Sequence, residues 1–157
     1  MFGIILTLAD SEPPYKISER GKDNMAKYEL TKELETGNPI IDSEHRQLLQ
    51  AVNSLLDACS QGQGSAKMNE TVRFLADYVN RHFGHEEQLQ QQSKYPGYQA
   101  HKAFHDKYKQ TLSEIMAAMP KTGVTGADLA KFNQHIGVLI AHIKTEDKKL
   151  AAFLSGK

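Results

Sequence analysis

His82 and Glu86 stand four residues apart, as do His101 and His105, and Asp147 follows His142 at five. On a helix, residues four apart share a face, with Cβ atoms roughly 5–6 Å from each other, so each of the first two pairs can grip one ion. With His45 ahead of them, the set is five imidazoles and two carboxylates spread over four segments. Imidazole suits zinc, copper, iron and nickel, whereas magnesium and calcium prefer oxygen shells. Seven groups exceed the four at which a zinc site ordinarily closes, and they point to two ions with shared carboxylates. Iron fits that higher-coordinate pair best, with manganese and zinc open as alternative occupants. The set also holds more imidazole than the carboxylate-rich sites of ferritin-like bundles.

A lone histidine on an apolar helix face is ordinarily a hydrogen-bonded core residue. Burying five imidazoles and two carboxylates together is different, because unpaired polar groups would cost several kcal/mol unless one partner satisfied them all. A metal cluster is such a partner. His142 and Asp147 are the weakest pair, since five residues turn an α-helix by about 140° past a full turn. A carboxylate bridging two ions could use that offset. His85 reads as a surface or rim residue, and His135, one heptad before His142, as a supporting or plain core residue. Glu87 and Glu146 lie beside the chosen carboxylates on other faces, where solvent exposure is the expectation.

The elements that must carry these groups are helices. His45, Leu48, Leu49, Val52, Leu55 and Leu56 recur at helical spacing behind Asp42, whose carboxylate is expected to cap a helix start. Gln61 to Ser65 is a small polar loop. A second helix is expected from about Met68 to Gln91, with Val72, Leu75, Val79, His82, Glu86 and Leu89 inward. Pro96 breaks the pattern. A third is expected over Tyr98 to Met119, with His101, Phe104, His105, Tyr108, Leu112, Ile115 and Met119 inward. Thr125 and Asp128 have the form of a capping box. The last helix follows through Phe132, Ile136, Leu139, His142, Ile143, Asp147, Leu150 and Leu154. Four amphipathic helices with short loops imply an all-α, up-down-up-down antiparallel four-helix bundle. Gly37-Asn38-Pro39 is turn chemistry, so the bundle is expected over 37–157 and an N-terminal arm or extension over 1–36, where Met25 could be a start.

A chain of 157 residues makes one domain large enough to bury a core. Lysine plus arginine and aspartate plus glutamate number 19 each, so no basic field exists to hold nucleic acid or an anionic membrane. Cys59 is the single cysteine, which excludes an internal disulfide framework and suits a reducing compartment; a free, partly buried thiol is expected. Met1 to Leu8 is apolar but too short for a membrane span and has no basic flank. A cytoplasmic protein is expected.

Four stretches in this order resemble the bacterial hemerythrins: Gly37-Asn38-Pro39-Ile40-Ile41-Asp42-Ser43-Glu44-His45; His82-Phe83-Gly84-His85-Glu86-Glu87; Tyr95-Pro96 with His101 and His105; and His142-Ile143 with Asp147. The likeness runs from about Leu30 to Leu150. It implies a non-haem di-iron centre that binds dioxygen reversibly, with His45, His82, Glu86, His101, His105, His142 and Asp147 on the ligand positions. It further implies that Glu86, Asp147 and a solvent-derived oxygen bridge the irons. His101, His105 and His142 would then fill one iron, and the iron of His45 and His82 would have room for oxygen in an apolar pocket lined by Leu139 and Ile143. Leu30, Asn38 and Gln90 depart from residues the family often has there, a tryptophan, an apolar residue and a methionine. The implied function is an oxygen carrier, store or delivery module rather than an enzyme. The alternatives are an oxygen or redox sensor signalling to a protein partner, and a di-iron enzyme acting on peroxide or nitric oxide.

Overall fold

In a computed structural model that describes residues 28–156, the regular structure is helical, with no strand among the described residues. The helices are α1 (Pro39–Ser60), α2 (Gly64–Ser93), α3 (Tyr98–Ala118), α4 (Gly126–His142) and α5 (Lys148–Leu154). A π-helical turn, Ile143–Asp147, joins the last two without a break, so α4 and α5 form one rod and the bundle has four. Contacts between side chains fix the directions. Glu44 meets His82 and His85, while Gln47, later on α1, meets Arg81, earlier on α2. Glu87 meets His105 whereas Gln91 meets Tyr98, and His142 meets His101 whereas His135 meets Tyr108. Each rod therefore runs antiparallel to the next, as the all-α, up-down-up-down reading expected. What was expected of residues 1–27, including Met1–Leu8 and Met25, lies outside the described residues.

α1 starts three residues earlier than expected, and Asp42 is not its cap. Asn38 accepts from the amides of Ile40 and Ile41, and Pro39 takes the first helical position, where its missing N–H costs nothing. Asp42 turns back instead, accepting from the amides of Thr36 and Gly37 and from the Thr36 hydroxyl at 2.7–3.0 Å. That clasp folds the preceding stretch onto the bundle, where Leu34 is buried and Tyr28 exchanges two 2.7 Å hydrogen bonds with Asn53. α2 likewise starts early, at Gly64, and ends at Lys94 in the left-handed conformation (φ 56°) ahead of Pro96. The Thr125–Asp128 capping box is present in both directions.

The core is continuous along all four rods, from Leu55, Met68 and Phe132 at one end to Leu48, Phe83 and Ile143 beside the histidines. Leu56, Leu89, Phe104 and Met119, expected inward, are only half-buried, and Leu154 is exposed because its rod ends there. Cys59 is a free, half-buried thiol on α1. No helix among the described residues is long and apolar enough to cross a membrane.

Candidate metal centre

All seven predicted donors converge at one level of the bundle, and none is more than 3 % exposed. α1 contributes His45, α2 His82 and Glu86, α3 His101 and His105, and the fourth rod His142 and Asp147. Two donor groups result, each with one ligand atom per residue and all atoms within 4.8 Å: His45, His82, Glu86 and Asp147 in one, and Glu86, His101, His105 and His142 in the other.

The carboxylates divide their oxygens between the groups. Glu86 turns Oε1 to His82 Nε2 at 3.6 Å and Oε2 to His101 and His105 Nε2 at 3.2 and 3.3 Å. Asp147 turns Oδ2 to His45 and His82 at 3.2 and 3.9 Å, and Oδ1 to His142 and His101 at 3.0 and 3.4 Å. Close as these approaches are, His45 Nε2, His82 Nε2, His105 Nε2, Glu86 Oε1 and both Asp147 oxygens make no well-aligned hydrogen bond among the described residues. Buried polar atoms are ordinarily paired, and six donor atoms left aimed at two common points fit a pair of cations with bridging carboxylates. The chemistry of the set, five imidazoles and two carboxylates, favours a transition metal of the iron type.

The π turn resolves the awkward five-residue spacing. In an α-helix His142 and Asp147 would diverge, but i→i+5 bonding lays residues five apart nearly over one another, so Asp147 comes within 3.0 Å of His142. Single π turns of this kind recur at functional sites in helices.

Ring nitrogens turned away from the centre are held by two further carboxylates that the sequence reading left out. Glu44, 5 % exposed, accepts from His82 Nδ1 at 2.9 Å and contacts His85 Nδ1 at 2.8 Å and Arg81 Nε at 3.5 Å. Glu87 was expected in solvent; its side chain is 18 % exposed and lies 3.1 Å from His105 Nδ1. Such partners fix which nitrogen faces the metal. Glu44 was detectable, since it stands three residues after buried Ile41 and four before buried Leu48, on the inward stripe of α1. His85 is at the rim as expected, and Glu146 pairs with Lys149 outside the site. His135 is buried and stacked on Tyr108 at 3.9 Å, away from both donor groups. Gln90 is fully buried, one turn past Glu86, and its side-chain amide finds no partner among the described residues. Phe83 stacks on His105 at 3.7 Å and Phe104 on His142 at 3.8 Å, and Leu139 and Ile143 are buried in the core.

Without metal, the centre balances itself with protons. Burial pulls the His82 pKa down, but the Glu86 charge, the approach of the Asp147 carboxylate and the bond to Glu44 overcome it and raise it to about 10. His101 rises to about 9 against the same burial, through Asp147 and Glu86. His105 goes the other way, because burial outweighs Glu86. Burial would raise Asp147, yet four surrounding imidazoles hold it well below the usual carboxylate range.

Comparison with known proteins agrees with this geometry. The hemerythrin HHE cation binding domain matches residues 36–154. A bacteriohemerythrin of Pseudomonas aeruginosa is 34 % identical over 115 residues, 73 % of each chain. A myohemerythrin of Sipunculus nudus is 32 % identical over 110 residues, 70 % of this chain and 79 % of that one. No solved structure matches the chain. The match spans all four rods and every one of the seven converging donors, and on that ground the chain belongs to the hemerythrin HHE cation binding family.

Proposed function

We propose that the protein binds dioxygen reversibly at a non-haem di-iron centre held by His45, His82, Glu86, His101, His105, His142 and Asp147, and acts as an oxygen carrier, store or delivery module in the cytoplasm. The observation that carries this reading is the unequal division of the donors: two carboxylates shared by both groups, three imidazoles on one side and two on the other. When bound, a pair of ferrous ions supplies the two electrons that reversible oxygen binding draws on. The residues do the rest. Glu44 and Glu87 hold His82 and His105 by Nδ1 and so present Nε2 inward. Leu139 and Ile143 are both buried, and on this reading they would line the side with fewer imidazoles and keep water from it. The names of the relatives, a bacteriohemerythrin and a myohemerythrin, support the same class.

The test is the visible spectrum of the reduced, iron-loaded protein before and after air. A stable band that vanishes on deoxygenation is the expected result. Immediate irreversible oxidation would overturn the carrier reading in favour of a redox sensor or a di-iron enzyme.

A further inference from the structure

Tyr78 is 1 % exposed, and its hydroxyl has no hydrogen-bond partner among the described residues. A buried tyrosine usually finds one, since an unpaired hydroxyl in an apolar setting loses its hydration for nothing. Phenylalanine would fill the same volume without that penalty. Tyr108, the other deeply buried phenol, obeys the rule by donating to the His135 carbonyl at 3.3 Å.

The place of Tyr78 explains the difference. It precedes His82 by one turn of α2, and its ring lies nearly parallel to the His82 ring at 5.1 Å. α2 and the fourth rod both run antiparallel to α3, hence parallel to each other, so Tyr78 shares its layer with Leu139, three residues before His142. Through its contact with the His82 ring, Tyr78 lies against the side of the centre with two imidazoles. A phenol carries its proton at neutral pH, so the hydroxyl is a hydrogen-bond donor with no acceptor among the described residues, and its ring is stacked on the very histidine that marks the less crowded half.

We propose that Tyr78 donates its hydroxyl hydrogen bond to the small ligand bound on the His45 and His82 side of the centre, making it a specificity-determining residue. It favours ligands that accept a hydrogen bond, such as azide, or dioxygen as it takes up negative charge, over apolar ones of the same size. The inference rests on the function proposed above and adds to it a residue outside the seven donors.

Azide titration of the oxidised, iron-loaded protein tests it, together with melting of the metal-free form. In Tyr78→Phe the azide Kd should rise about tenfold, the worth of one hydrogen bond to a charged acceptor. The metal-free Tyr78→Phe protein should melt no lower than the metal-free wild type, because no protein contact has been lost. Tyr108→Phe should leave the azide Kd unchanged. An azide Kd in Tyr78→Phe within about twofold of wild type would overturn the proposal. So would an equal loss in Tyr108→Phe, or a lowered melting temperature of metal-free Tyr78→Phe, which would reveal a partner inside the protein. Wild-type protein that binds no azide would instead remove the proposed function, and this inference with it.

Discussion

The two halves of the centre are built from the same residue types and differ in how they are walled. The half of His101, His105 and His142 is closed by stacked aromatics, with Phe83 on His105 and Phe104 on His142 at under 4 Å and interplanar angles of 2°. The half of His45 and His82 has two imidazoles, meets Tyr78 through a looser stack at 5.1 Å, and relies on buried Glu44 for orientation. Tight stacking on His105 and His142 resists rearrangement and, on the proposed function, would suit a metal whose shell is full. The looser pair would then hold the metal that takes the ligand. Crowding and access are thus separated within a few ångströms by the choice of neighbours.

The strongest way to break that division is to remove what both halves share. Glu86→Ala should leave iron near zero per chain, whereas His101→Ala should bring it well below two but retain some in the other half; equal residual iron in both variants, measured by metal analysis, would deny Glu86 its bridging place. Next in size is the loss of metal itself. The metal-free bundle should melt about 10 °C lower than the loaded one, as expected for binding coupled to folding.

pH then separates the two states. The metal-free His82 and His101 values, about 10 and about 9, lie above the ordinary 6.5. The stability they contribute is complete below about pH 6.5 and disappears as pH climbs through 9 to 10. Metal-free protein should therefore lose several degrees of melting temperature between about pH 7 and 9.5, while loaded protein changes little over that window. Parallel curves from calorimetry would show that the imidazoles do not carry those protons.

Smaller effects sharpen the comparison. Glu44→Ala and Glu87→Ala should each weaken iron binding about 10–100-fold, the usual reach of groups that orient a metal-bound histidine. Glu44 should be the larger loss, because it is the more buried and holds the open half; competition with a chelator ranks the two. Leu139→Ala should cost about 2–5 kcal/mol in stability and hasten decay of the oxygenated form while two irons remain. Unaltered decay would place the pocket elsewhere. His85→Ala, at the rim, should change stability by no more than about 0.5 kcal/mol and leave the metal in place.

The seven donors were legible because they sit on inward stripes that apolar neighbours already define, although the five-residue step from His142 to Asp147 made that pair the weakest. The fold followed from the same stripes. What the sequence hid depended on side-chain direction. Asn38 and Asp42 are both good helix caps, and only the folded chain shows that Asp42 reaches back to Thr36 and Gly37. Pro39 was the neglected hint, since it favours the first helical position. Glu87 follows Glu86 directly, a step of about 100° around the helix, and still bends to His105 because a long carboxylate reaches across a helix interface. Tyr78 stood outside the sequence reading, because nothing in a sequence tells a paired hydroxyl from an orphaned one.

The π turn has a consequence for chain length. His82 with Glu86 and His101 with His105 are one-turn pairs of an ordinary helix, and in space His142 with Asp147 is a one-turn pair as well. The fourth rod thus behaves like the other two with a single residue inserted between its donors. The surplus residue is taken up locally by widening one turn, and helical rods resume on both sides, so Leu139 before it and Leu150 after it both stay fully buried. An alignment that closes that gap to force the shorter spacing would pair the wrong residue with Asp147.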